Sequence, residues 1–214
     1  MQRHHHGMTS PTTDEEVVAS ATEPDPAADH DWREAGEAWG HAANDWGCLF
    51  EHYATAVIGA IHHRADVGPG TELLDVACGA GLALVRAEER GATVHGLDAA
   101  EPLVEIARAR LPVADIRVGS MFELPWPDAS FDVVTSINGV WGGCGEALLE
   151  AHRVLRHHGW IGISFWGEGP PLDLRAVFKA YARHSPDRHF RGMKRLNDIA
   201  RPGVAESMLE DAGF

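Results

Sequence analysis

From Gly68 onward, short apolar runs alternate with stretches of helical period. Glu72–Val76, Thr93–Leu97, Asp115–Val118, Phe131–Thr135 and Trp160–Phe165 each carry four to six residues dense in Val, Ile, Leu and Phe, the length and content of buried strands. Between them, Leu82–Arg90, Glu101–Ala109 and Gly145–Arg156 repeat apolar residues at helical spacing. In the second of these, Leu103, Val104, Ile106, Ala107 and Leu111 form one apolar side, while Glu105, Arg108 and Arg110 face away. Strands that alternate with amphipathic helices predict an α/β fold, a doubly wound parallel sheet covered by helices on both faces. Right-handed crossovers then place a ligand crevice at the carboxyl ends of the strands, where the strand order reverses.

The flanks read differently. Residues 1–30 are rich in Thr, Pro, Asp, Glu and Ala without an apolar period, which predicts a disordered leader; His4–His6 stand in an opening that reads as a tag remnant ahead of Met8. Residues 31–66 predict a helical N-terminal cap. Trp32, Trp39, Trp46, Phe50, Tyr53, Val57 and Ile61 recur at helical spacing, with Gly36, Gly40 and Gly47 interrupting them. This aromatic stripe is expected to bury itself on the domain, with a cover over a ligand as the alternative. Residues 67–214 form the doubly wound domain. Val204–Ala212 reads as its last helix with Gly213 as the stop, and Phe214 ends the sequence where a further strand is expected, so the C-terminal strands are expected to be missing. A sheet edge left open in that way invites pairing into a homo-oligomer.

Charge and cysteine usage narrow the function classes. The formal net charge is −14, which repels phosphate backbones and anionic lipid, so no nucleic acid and no membrane is expected as a partner. The basic stretch Arg183–Arg195 reads as a solvated face. Cys48, Cys78 and Cys144 are an odd set without a Cys-x-x-Cys pair, as in a reducing cytoplasmic compartment. His62–His63 and His157–His158 are adjacent pairs that point apart on a helix, so no metal site is expected.

The chemistry concentrates after the first strand. Asp75-Val76-Ala77-Cys78-Gly79-Ala80-Gly81 runs into a helix, and glycines there let the backbone turn sharply and approach a ligand. A dinucleotide fingerprint needs a third glycine where this chain has Leu84. An acid before the turn repels a pyrophosphate but suits a cationic ligand. Asp98 ends the second strand, where a carboxylate accepts hydrogen bonds from a ribose diol. These features describe a nucleoside site without a diphosphate.

Leu73–Gly81 resembles the glycine-rich first motif of class I S-adenosylmethionine-dependent methyltransferases, the broad group that includes quinone-biosynthesis and secondary-metabolite enzymes. Asp98, Gly119–Pro125, Ser130–Val134 and Glu150–Gly159 are similar to the later segments of that family, in order, over Gly68 to Trp166. The resemblance implies a Rossmann-like fold, S-adenosyl-L-methionine as cofactor, and methyl transfer to a small-molecule acceptor by in-line displacement. It implies that backbone at Ala77, Cys78 and Gly79 faces the amino-acid portion of the cofactor, with Gly81 completing the turn and Asp75 supporting it. It further implies Asp98 on the ribose, Ala99 on the adenine, the Met121 amide on an adenine nitrogen with Phe122 and Leu103 as apolar neighbours, and Asn138 near the transferred methyl. Two positions depart from the family pattern: Ala77 stands where glycine is common, and Ser120 where an aspartate accepts from the adenine amino group. The resemblance assigns no catalytic residue. His41, His95, His184, His189 and Glu168 qualify only by residue type, and His95 and His152 read as structural. A catalytically inactive cofactor-binding or interaction module of the same fold is the alternative, and the missing third glycine argues against a nicotinamide-dependent oxidoreductase.

Overall fold

A computed structural model describes residues 32–167 and 198–214. The chain divides into Met1–Asp31, outside the described residues, and Trp32–Phe214. The second unit opens with α1 (Trp32–Gly40), a single turn α2 (Ala43–Asp45), a π-turn (Trp46–Phe50), a 3-10 turn (Glu51–Ala54) and α3 (Thr55–Arg64). Then follow β1 (Glu72–Val76), α4 (Leu82–Glu88), β2 (Thr93–Asp98), α5 (Glu101–Arg110), β3 (Asp115–Val118), β4 (Phe131–Ile137), α6 (Gly145–Val154), β5 (Leu155–Ser164), a 3-10 turn (Asp198–Ala200) and α7 (Val204–Asp211).

The five strands form one sheet in the order β3-β2-β1-β4-β5, with every pairing parallel. Leu73 and Leu74 of β1 are both fully buried but point to opposite faces. Leu73 joins Leu84, Ala87, Val104, Ala107 and Leu111 from α4 and α5, whereas Leu74 joins Phe131, Val134, Ala151 and Val154 on the α6 side. The alternation seen in the sequence is therefore the doubly wound arrangement expected of it. The chain runs outward from β1 through β2 to β3, then returns to the other side of β1 for β4 and β5. This reversal puts the switch point, where sheets of this kind form their ligand crevice, at the carboxyl ends of β1 and β4.

The junction of α6 and β5 differs from the expectation. The helix expected to reach Arg156 stops at Val154, because Leu155 is already extended and pairs with Phe131, and the fifth strand starts five residues early with a bulge opposite Phe131–Val133. The tight helix–strand packing that a third glycine would provide is supplied from the strand side. A Cβ on Gly96 of β2 would lie 2.7 Å from Leu84 and 3.0 Å from the Cys78 sulfur, so Gly96 makes room for the leucine. Among the described residues no helix is long and apolar enough to cross a membrane.

His62, on α3, is buried with neither ring nitrogen hydrogen-bonded. Burial, helped by Arg90, lowers its pKa to about 4 from the ordinary 6.5. A base whose folded pKa is depressed favours the folded state while neutral. Stability from His62 should therefore be complete above pH 6.5 and decline as the pH falls toward 4. Urea titrations across that window should show a flatter pH dependence for His62→Leu than for the parent; an unchanged dependence would contradict this.

Candidate active site

β1 delivers Asp75 and Val76 to the crevice, and the turn that follows is built from left-handed residues: Ala77 at φ +59°, Gly79 at +54° and Gly81 at +86°. Left-handed backbone costs a residue with a Cβ roughly 1 kcal/mol, so Ala77 is mildly strained where the glycines are not. Its methyl is accommodated by the loop after β4, since a Cβ on Gly139 would lie 2.5 Å from that of Ala77. Gly81 begins α4 with a Cβ position 3.0 Å from Ala107, which brings α4 close against α5.

Two buried carboxyl groups flank this turn. Asp75 accepts a 2.7 Å hydrogen bond from the Thr135 hydroxyl on β4. Burial, reinforced by Asp98 and opposed by Thr135, pushes its pKa up to about 7. Asp98 accepts from the Gly79 amide at 2.7 Å with one oxygen and from the Ala100 amide at 2.8 Å with the other. Burial raises its pKa, partly offset by those amides. Asp98 is thus the brace of the glycine loop as well as a group at the head of β2. The loop amides expected to face a ligand are partly spent inside the protein, as Gly79 bonds Asp98 and Cys78 bonds the Leu97 carbonyl. The Cys78 thiol is buried in the core beside Leu84, and burial holds it well above the usual thiol range.

The other expected residues lie on the segments that follow β2, β3 and β4. Gly119 donates to the Asp98 carbonyl at 3.0 Å and so ties the segment after β3 to the crevice. Within it the Ser120 hydroxyl accepts from the Phe122 amide at 3.2 Å, and Met121 and Phe122 are half-buried. Glu150 and Arg153 of α6 clamp the next residues. Glu150 accepts from the Leu124 amide at 2.7 Å, and Arg153 donates to the Leu124 and Trp126 carbonyls at 2.9 Å. This part of α6, within the stretch Glu150–Gly159 that resembles the family, holds the segment that follows Met121. Arg153→Ala should cost about 2 kcal/mol, read as a lower urea midpoint with the slope unchanged. An unchanged midpoint would show that the clamp is dispensable.

Asn138 follows β4 at φ +57°, with its amide bonded to the Ser164 carbonyl at 2.9 Å. Its side-chain nitrogen donates to the Tyr53 oxygen at 2.7 Å. In the sequence Tyr53 reads only as one member of the aromatic stripe, and nothing there pairs it with Asn138. Ala99 and Leu103 meet the N-terminal cap. A Cβ on Gly36 would fall 2.2 Å from the Ala99 carbonyl oxygen, and Leu103 packs with Ala43, Ala80 and Trp46. Gly79 faces Trp46, whose ring nitrogen lies 3.4 Å from where a Cβ on that glycine would stand.

The aromatic stripe does not bury itself as expected. Trp39, Phe50 and Tyr53 are 54%, 56% and 44% exposed. They form a chain of ring contacts instead: Trp46 meets Trp39 at 5.1 Å and Phe50 and Tyr53 at 6.2 Å, and Tyr53 stacks on Trp166 at 5.1 Å. The cap docks through its glycines, whose Cβ positions at Gly36, Gly40 and Gly47 fall against Ala99, Pro102 and Ala80, and the exposed rings pack on one another. Trp141 is not part of this chain and packs near α6.

Of the residues chosen by type alone, His41 is exposed with a ring nitrogen on the Glu37 carbonyl. His95 is bonded to Glu72 at 3.0 Å in the body of the sheet, and His152 packs its ring on Phe214. Glu168, His184 and His189 lie outside the described residues. A cavity of about 500 Å³ between the α1–α2 turn and α5 is lined by Gly40–Asp45, Pro102, Glu105, Ile106 and Ala109, and contains none of the crevice residues. Among the described residues no group of three His, Cys, Asp or Glu side chains could hold a metal ion.

Comparison with known proteins places this geometry. Residues 74–163 match a methyltransferase domain. The demethylmenaquinone methyltransferase of Listeria welshimeri is 31% identical over 169 residues, covering 69% of this chain and 72% of the relative. The chain belongs to the class I methyltransferases. Nocamycin O-methyltransferase of Saccharothrix syringae is 38% identical over 172 residues, covering 70% of this chain, which spans 61% of that relative's length. Solved structures share the fold at lower identity. The [4+2]-cyclase SpnF superposes with a TM-score of 0.63 at 19% identity, covering 85% of this chain and 72% of its own. Phosphoethanolamine N-methyltransferase 2 of Haemonchus contortus, in complex with S-adenosyl-L-methionine, gives 0.56 at 21% identity, covering 73% and 36%.

Proposed function

We propose that this methyltransferase binds S-adenosyl-L-methionine in the crevice at the carboxyl ends of β1, β2 and β4 and methylates a small, ring-bearing acceptor. The observation that carries the reading is the pair of buried carboxyl groups, Asp75 and Asp98, on either side of a left-handed glycine turn. None of the hydrogen bonds or ion pairs found for these two groups among the described residues comes from a lysine or arginine. Burying two acids side by side is costly, and a cationic ligand offsets that cost where a diphosphate would add to it. The donor set therefore fits a sulfonium-bearing nucleoside.

In this reading Asp98 keeps a free lone pair on each oxygen for the ribose hydroxyls while it braces Gly79. Ala77, Cys78, Gly79 and Gly81 shape the turn beside the amino-acid portion, with Asp75 beneath it. Ala99, Leu103, Ser120, Met121 and Phe122 border the adenine, and Asn138 stands on the methyl side. When bound, the cofactor supplies an activated methyl for in-line displacement, so the protein's part is to align the nucleophile and keep water out.

The acceptor meets Trp46, Tyr53 and Trp166, which offer ring faces to a flat molecule. The Tyr53 oxygen already accepts from Asn138, which leaves its O–H to donate, and burial raises its pKa so that it stays protonated at neutral pH. Tyr53 thus serves to hold an acceptor oxygen and is not itself a base. The test is mass spectrometry of reactions with S-adenosylmethionine and either 1,4-dihydroxynaphthalene or glucose. Methylation of the naphthalene diol alone is expected; methylation of glucose alone would overturn the acceptor class.

A further inference from the structure

We infer that Arg110 is the positioning residue that fastens the N-terminal cap to the glycine loop, so that both respond to a nucleoside ligand as one unit. The ligand in this inference rests on the cofactor reading above; the fastening rests on geometry alone. Arg110 stands in the last turn of α5, outside the segments singled out for cofactor binding. Its guanidinium donates to Glu51 at 2.6 Å, to the Ala80 carbonyl at 2.8 Å and to the Gly47 carbonyl at 3.0 Å. Ala80 belongs to the glycine loop, while Gly47 and Glu51 belong to the cap. One side chain thus bridges the cap at Gly47 and the glycine loop at Ala80, 33 positions apart in the sequence.

The local structure is shaped for this bridge. In the π-turn the Glu51 amide reaches back to the Trp46 carbonyl, one residue further than in an α-helix, and the Gly47 carbonyl of that turn meets Arg110. Gly47 also lets the cap approach, since a Cβ there would lie 3.2 Å from that of Ala80. Glu51 is 5% exposed, and a carboxylate so buried is strongly disfavoured without its cation. The planar fork of arginine serves a carboxylate and two carbonyls together, which the single ammonium of lysine does poorly. Trp46, next to Gly47, is the ring that faces Gly79. The clasp therefore sets how the aromatic chain lies over the crevice without entering it.

The experiment combines calorimetry with S-adenosylhomocysteine and hydrogen exchange of residues 46–54 and 77–81, for the parent, Arg110→Ala, Arg110→Lys and Glu51→Gln. In the parent, S-adenosylhomocysteine should slow exchange in both segments. In Arg110→Ala, affinity should fall about tenfold or more, and protection should persist at 77–81 but vanish at 46–54. Arg110→Lys should recover only part of the loss. Variants that bind within about twofold of the parent, with both segments protected, would overturn the inference. If Arg110→Ala does not fold, Arg110→Lys and Glu51→Gln decide by the same criteria. A parent that fails to bind S-adenosylhomocysteine would sink the cofactor reading instead. The clasp is then judged in the ligand-free protein, where the variants must exchange faster at 46–54 if it exists and match the parent if it does not.

Discussion

Asp98→Asn should weaken S-adenosylhomocysteine binding by roughly a hundredfold, about 3 kcal/mol. The substitution keeps the volume but leaves one oxygen where there were two. The Gly79 and Ala100 amides now sit on different oxygens of the carboxylate. An asparagine can accept from only one of them and must turn its own NH₂ toward the other, a donor facing a donor. The loop then loses its brace at the point where it turns left-handed at Gly79. The ribose hydroxyls also lose a charged acceptor, and hydrogen bonds to ionised groups are the stronger kind. Calorimetry at a temperature where circular dichroism shows the variant folded isolates the binding effect. Affinity within a few-fold of the parent would show that Asp98 serves only the fold.

Gly36→Ala is the second large effect, and its sign runs against helix propensity. Alanine in place of a helical glycine favours the isolated helix by about 1 kcal/mol. Here the new methyl would be placed 2.2 Å from the Ala99 carbonyl oxygen, and the opposing atom is backbone that cannot swing aside. Helix α1 must lift away from the head of β2. Overpacking of this kind costs about 1–3 kcal/mol, which the docked cap bears. The expected outcome is unchanged or raised helicity together with a KM for S-adenosylmethionine raised roughly tenfold or more and faster tryptic cleavage at Arg33. An unchanged KM would mean that the cap does not take part in the cofactor site.

How far the sequence reveals this molecule depends on whether a feature is local. The strands and helices of residues 72–164 were legible because each is one periodic run between turns, and a parallel alternating pattern has few topologies. The glycine turn and Asp98 were legible because both lie at the ends of strands. What stayed hidden is pairwise and long-range. Gly36, Gly40 and Gly47 read as interruptions of a helix, yet they are its docking face: their Cβ positions fall against Ala99, Pro102 and Ala80. A glycine chosen for close approach and a glycine that weakens a helix look alike until the neighbour is known. Leu84 looked like a missing glycine, although Gly96 on the next strand does that work. Arg110 read as the polar side of α5, and Tyr53 as apolar filler, because their partners Glu51 and Asn138 come from distant segments.

An acidic, glycine-lined crevice should take an adenosyl amino acid and refuse a dinucleotide. Side-by-side calorimetric titration of the parent protein with S-adenosylmethionine, S-adenosylhomocysteine and NADH tests this most directly. Saturable one-to-one binding of the first two with no heat from NADH is the predicted result. Binding of NADH, or silence from all three, would contradict it.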